Sequence, residues 1–132
     1  MMLRRLAIRD FIIVDRLELE FSGGFGALTG ETGAGKSILI DALALALGER
    51  ADAGVVRAGC ERTEVAATFD IAGLPAVCEW LAANDLDGDE ELILRRVLDA
   101  GGRSRGYING SPATAQQLRE VLAFRQLARE QV

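Results

Sequence analysis

Apolar and polar residues alternate along several stretches of this chain, which is the pattern of strands that bury one face. The pattern predicts strands over residues 2–9, 12–21, 62–71, 91–99 and 103–109, with strict alternation in VDRLELEF, the second half of 12–21. We expect the first two strands to pair antiparallel. We expect the last two to form a hairpin around the turn Ala100-Gly101-Gly102. Asn109-Gly110 is a further turn signal.

Helical patterns occupy three other stretches. Residues 36–47, KSILIDALALAL, are apolar on nearly every side and are interrupted by Asp41, which predicts a buried helix that Gly48 caps. A short helix with proline in its first turn is predicted over Pro75 to Ala83. We interpret Trp80 and Leu81 on this helix as core residues. Thr114 and Gln117 fit a capping box that opens a helix running toward Arg129.

A glycine-rich loop at 30–35 lies between a predicted short strand, 25–29, and the apolar helix. The segment matches G-x-x-x-x-G-K-[ST] in full, with residues Gly30, Glu31, Thr32, Gly33, Ala34, Gly35, Lys36 and Ser37. Glycines let backbone N–H groups close around a phosphate, and a helix that begins there directs further N–H groups at the same anion. In this motif the lysine reaches the β- and γ-phosphates and the serine hydroxyl binds Mg²⁺. The pattern therefore predicts an ATP site with Mg²⁺ on Ser37.

Composition strengthens the case for Lys36. The chain has 132 residues, enough for one domain, and Lys36 is the single lysine among its 15 basic residues. Arginine is the basic residue at every other basic position, so Lys36 marks a position where a compact ammonium is needed rather than a planar guanidinium.

Other chemistries are excluded by what the sequence lacks. It has no histidine and two cysteines, so Ser-His-Asp triads, histidine metal sites and a disulfide framework are ruled out. No apolar run approaches the roughly 20 residues that span a bilayer, and a cytoplasmic location without membrane contact is expected. The formal net charge of −5 argues against a module that simply coats nucleic acid.

The order of elements narrows the class of phosphate-loop protein. A GTPase N-K-x-D motif cannot occur, because Lys36 is the only lysine. Two antiparallel strands precede the loop, and a strand and a hairpin follow the helix in place of regular βαβ alternation. This order predicts an α/β fold, the N-terminal lobe of an ABC-type P-loop ATPase head.

A specific resemblance is carried by six segments of the sequence: LAIRDFIIVDRLELEF, GFGALTGETGAGKSILIDALALALGERAD, VRAG, EVAATFDI, LILRRVL and GRSRGYING. Over most of the chain, they closely resemble the structural-maintenance-of-chromosomes (SMC) family of ATPases. Thr32-Gly33-Ala34 and Ile38 favour its bacterial DNA-repair branch over the SMC proteins proper.

This resemblance implies a head built from both ends of a long chain that are joined through a coiled coil, with ATP held between two heads of a homodimer. It implies double-strand break repair and recombination, with DNA and the RecA recombinase as partners, near the nucleoid. The family's acidic Walker B pair, signature motif and switch histidine are not found here. Residues 1–132 are therefore expected to be an incomplete N-terminal lobe that needs a C-terminal lobe of the same protein.

The resemblance also points to an arginine. Arg57, in VVRAG, resembles the loop arginine that lies near ATP in SMC proteins, where a guanidinium would stabilise developing charge. Interpretation of Arg57 as an ordinary surface arginine is equally good. Arg50 is a weaker candidate for the same role near ATP. The hairpin arginines at 95, 96, 103 and 105 are interpreted as solvated surface rather than DNA contacts, with Arg95 and Arg96 on opposite faces.

Two other functions stay open. A complete small phosphotransferase is disfavoured, because no apolar strand here ends in paired acids. A nucleotide-dependent interaction module without catalysis is the remaining alternative.

Overall fold

The computed structural model describes residues 2–21 and 33–130, and all structural statements below concern those ranges. Six strands run in the order β1 Met2–Phe11, β2 Val14–Glu20, β3 Arg62–Asp70, β4 Glu91–Asp99, β5 Ser104–Ile108 and β6 Ser111–Ala113. Three helices, α1 Gly33–Ala46, α2 Pro75–Ala83 and α3 Ala115–Glu130, join them, with one 3₁₀ turn at Ala53–Val55. The predicted strand at 25–29 lies outside the described residues.

The strands form one antiparallel sheet in the order β2-β1-β3-β4-β5-β6. Its inner face is the core, because alternate residues of β3 and β4 are fully or nearly fully buried there, Val65, Phe69 and Leu94 among them. Helix α1 packs on β1, β3 and β4, while α3 packs on β5 and on α2. The predicted antiparallel pair before the loop and the hairpin after the helix are both confirmed.

Two local signals are also confirmed. The Thr114 hydroxyl accepts a hydrogen bond from the Gln117 N–H at 3.1 Å, and the Gln117 side chain accepts one from the Thr114 N–H at 2.9 Å, as a capping box requires. Asn109 and Gly110 both have positive φ, +49° and +84°, and make the tight turn from β5 to β6. Strand β6 itself is missed by the sequence pattern, because it has three residues and contains Pro112.

One charged side chain lies inside the fold. Arg96, on the inner face of β4, is 6% exposed, and its Nη1 donates to the carbonyl oxygens of Leu45 at 3.1 Å and Glu49 at 3.3 Å. Its Nη2 and Nε donate to the Ser104 hydroxyl at 2.6 and 3.2 Å. Leu45 lies in the last turn of α1 and Glu49 just beyond its end, so a cation here satisfies these carbonyls and complements the negative end of the helix dipole. Burial lowers the pKa of Arg96, but an arginine stays protonated at neutral pH.

Glycine makes room for the contact between α1, β5 and α3. Gly48 ends α1 at a φ of +98°, and a Cβ there would lie 2.9 Å from the Leu118 Cβ. A Cβ on Gly106 would lie 2.8 Å from Leu118 Cδ1. Leu118 is therefore inserted between two glycines, and the predicted cap at Gly48 is also a packing site.

Arg95 and Arg96 provide a matched pair, since these neighbours lie on opposite faces of β4. We expect Arg96→Met to lower the free energy of unfolding by about 2–3 kcal/mol, because the carbonyls of α1 lose a charged donor while the side-chain volume is kept. Arg95→Met removes an exposed ion pair with Glu64 and should cost about 1 kcal/mol or less. Urea titration of both variants measures the difference. Equal losses would show that Arg96 does not anchor α1.

Candidate functional site

The phosphate-loop motif runs into the first turn of α1. Gly30, Glu31 and Thr32 lie outside the described residues, whereas Gly33, Ala34, Gly35 and Lys36 form the helical backbone of that turn. The helix thus begins three residues earlier than the predicted Lys36. Glycine is tolerated there because the first N–H groups of a helix have no intrahelical partner, so the usual cost of mid-helix glycine is reduced. Those N–H groups are the ones an anion can take.

The two ends of α1 differ in exposure. Its C-terminal half is buried at Ala42, Leu43, Leu45 and Ala46, and Arg96 holds its last carbonyls. Toward the N-terminus, Ser37 and Asp41 are exposed and Ile40 is 48% exposed. The prediction of a helix buried on nearly every side is therefore wrong for this half, since the sheet covers one side of it only. Ser37, the last residue of the motif, is therefore exposed on a helix whose C-terminal end is anchored.

The loop after α1 brings Arg57 against the turn between β1 and β2. The Ile12 N–H donates to the Val55 carbonyl at 2.7 Å and the Arg57 N–H to the Asp10 carbonyl at 2.9 Å. Phe11 and Val56 form a β-bridge between these two bonds. Asp52 fixes the start of the loop by accepting the Gly54 N–H at 2.8 Å.

The Arg57 side chain pairs with two carboxylates on the strands that flank that turn, Asp10 of β1 and Asp15 of β2. Its Nη1 lies 3.2 Å from Asp15 Oδ1 and 3.7 Å from Asp10 Oδ1. Sequence reasoning missed both aspartates, because the Asp15 pair joins residues 42 apart and no local pattern marks it. The structure thus brings Arg57 together with Asp10 and Asp15.

A hollow separates α1 from this loop. It is lined by Asp41 and Leu45 of the helix, by Phe11 of β1, and by Arg50 and Val55 of the loop, among others. Arg57 is two residues beyond Val55 on the same loop. The loop that carries Arg57 therefore lies next to α1, the helix that carries the motif. Arg50 and Asp41 both face this hollow. Of the described residues, none forms an ion pair with either side chain.

The hairpin arginines divide between the two faces of the sheet, as predicted. Arg96 is buried against α1, whereas Arg95 pairs with Glu64 at 2.8 Å and stacks 4.2 Å from the centre of the Tyr107 ring on the outer face. Arg103 and Arg105 line a shallow hollow on that outer face with Arg95. Arg96 is therefore not part of the solvated surface where the sequence placed it.

Two absences apply to the described part of the chain. No three Asp, Glu or Cys side chains in residues 2–21 and 33–130 are grouped as metal ligands would be. Over the same ranges, no helix combines the length and apolar character needed to cross a bilayer.

Comparison with known proteins shows which family the chain belongs to. A family model described as an AAA domain matches residues 5–110. The chain is 50% identical over 120 residues to the DNA repair protein RecN of Vibrio cholerae and 44% identical over 126 residues to that of Haemophilus influenzae. These matches cover 91% and 93% of this chain but 22% and 23% of the relatives. A solved structure titled "Structural biochemistry of ATP-driven dimerization and DNA stimulated activation of SMC ATPases" superposes with a TM-score of 0.73 at 25% identity, covering 94% of this chain and 79% of that one.

The chain therefore belongs to the AAA domain family, and its fold is that of an SMC ATPase head. Within that class it is homologous to the RecN DNA repair proteins. The predicted fold class and the resemblance to the DNA-repair branch are both confirmed. The chain spans about a fifth of the length of the curated relatives it matches.

Proposed function

We propose that residues 1–132 form the ATP-binding N-terminal lobe of a RecN-like ATPase that acts in double-strand break repair and recombination. The observation that carries this proposal is the full phosphate-loop motif at the N-terminal end of α1, a helix whose other end is fixed by Arg96 and Gly48. A phosphate chain bound there would meet a helix terminus that the sheet holds in place. Homology to the RecN DNA repair proteins supports the cellular role.

Two features of the described residues support binding of Mg·ATP at this motif. The first turn of α1 has N–H groups without intrahelical partners, and Ser37 is exposed directly after it. In this assignment Lys36 and the backbone of residues 30–35 bind the phosphates, and the Ser37 hydroxyl is a Mg²⁺ ligand. The metal neutralises phosphate charge when it is bound. Arg57 adds a guanidinium on the neighbouring loop and acts as a catalytic residue at the phosphates.

The exposed half of α1 supports a requirement for a second lobe. Ile40 and Asp41 are exposed on the helix that carries the motif, and the relatives are much longer than this chain. We assign the missing acidic residues to a C-terminal lobe of the same protein, and closure of the site to a second head in a homodimer. DNA would be engaged by the full-length protein, with the RecA recombinase as a further partner, in the nucleoid region of the cytoplasm.

Removal of the Lys36 ammonium tests the site. We expect Lys36→Ala in the full-length protein to abolish tight ATP binding, because no other lysine can replace it. Lys36→Arg should also bind poorly, since a planar fork does not replace a point charge in this cradle. Equilibrium titration with a fluorescent ATP analogue measures both. Wild-type affinity in Lys36→Ala would overturn the site assignment.

Substitution of Arg57 tests its role in turnover. Arg57→Ala should leave ATP affinity within about tenfold of wild type and lower kcat by a larger factor, because a transition-state contact acts on kcat rather than on ground-state binding. Steady-state hydrolysis and nucleotide titration of the full-length protein separate the two. Equal losses in ATP affinity and kcat, or no loss in either, would show that Arg57 is a surface residue without a role in turnover.

The isolated lobe tests its incompleteness. We expect purified 1–132 to bind ATP weakly at best and to release no phosphate above its Lys36→Ala control, because positioning of the attacking water requires groups from the other lobe. Robust turnover that depends on Lys36 would instead support a complete small phosphotransferase. Tight binding without turnover would favour a nucleotide-dependent interaction module.

A further inference from the structure

The ion pairs of Arg57 use one edge of its guanidinium. Both carboxylates approach Nη1, Asp15 at 3.2 Å and Asp10 at 3.7 Å. Within the described residues, no hydrogen bond or ion pair is formed by Nη2 or Nε. A guanidinium has five N–H donors in a rigid fork, so fixing Nη1 orients the plane and leaves the other edge able to donate to an anion. The side chain is 40% exposed and so remains accessible.

Asp10 lies on a constrained stretch of backbone. Asp10 has a φ of +51° and Ile12 a φ of +56°, which is unfavourable for a β-branched residue. Such a turn persists because its surroundings fix it, here through the Ile12–Val55 and Asp10–Arg57 backbone bonds. These bonds therefore fix the backbone of Asp10 relative to that of Arg57, while Asp15 reaches the same guanidinium from the start of β2.

We propose that Asp10 and Asp15 are positioning residues for ATP hydrolysis, which hold Arg57 by Nη1 so that its Nε–Nη2 edge is oriented toward the nucleotide phosphates. This proposal rests on the proposed function, in which Arg57 acts at the phosphates. Asp10 and Asp15 act through Arg57, and neither needs to touch the nucleotide. Their effect should accordingly appear in kcat and vanish when Arg57 is removed.

The size of the effect follows from the exposure of the pairs. Asp15 is 78% exposed and Asp10 is 27% exposed, so each pair is a surface or half-buried interaction. Interactions of this kind change an equilibrium by up to about fivefold each. The loss of both should therefore lower kcat by about two- to tenfold, well below the loss expected for Arg57→Ala.

The test compares the Asp10→Asn/Asp15→Asn double variant with wild type in the full-length protein. Asparagine tolerates the positive φ at position 10, so the substitution removes charge without straining the turn. Glu18→Gln is the matched control, because it removes an exposed carboxylate from the same strand as Asp15 but one that does not contact Arg57. Steady-state kcat and KM for ATP are measured for each protein, and again with Arg57→Ala present.

We expect the double variant to lose kcat with KM within about twofold, Glu18→Gln to match wild type, and the double variant to add nothing to Arg57→Ala. Wild-type kcat in the double variant, or an equal further loss in the Arg57→Ala background, would overturn the positioning role while leaving the ATPase function intact. Unchanged turnover in Arg57→Ala would overturn the role of Arg57 and this proposal with it. The Lys36→Ala titration separately decides whether the site binds ATP. If the double variant does not fold, Asp15→Asn alone carries the same comparison.

Discussion

A buried cation connects the sheet to the helix that carries the phosphate-loop motif. Arg96 has no carboxylate partner among the described residues and is stabilised by the Leu45 carbonyl of α1, the Glu49 carbonyl just after the helix and the Ser104 hydroxyl. Burying a charge is costly unless it is well hydrogen-bonded, so this arrangement requires the end of α1 to stay where it is. The orientation of the whole helix, and with it the proposed ATP site, depends on that contact.

The loop that follows α1 returns to the β1–β2 turn. Two backbone bonds and a β-bridge hold that loop to the turn, and the strands that flank the turn provide the carboxylates that pair with Arg57. Strand β1, helix α1 and the loop after the helix thus surround the hollow beside α1. Ser37 on the helix and Arg57 on the loop are both accessible to solvent.

Local patterns predicted most of this architecture, because alternation, Asn109-Gly110 and the Thr114–Gln117 box act over a few residues. They failed where the outcome depends on distant partners. The Arg96–Leu45 bond joins residues 51 apart, so alternation gave the face of Arg96 but not its burial. Asp10 and Asp15 were missed for the same reason. The start of α1 was misplaced because glycines were interpreted as loop, although the first turn of a helix accepts them.

The position of Leu118 between Gly48 and Gly106 restricts how this lobe can change over evolution. A methyl group at either glycine would lie within 3 Å of Leu118, so these positions share one fixed volume. A larger residue at 48 or 106 requires a smaller one at 118, and Gly48 is further constrained by its positive φ. Residues 48, 106 and 118 must therefore change together, so that the packing between α1, β5 and α3 is preserved.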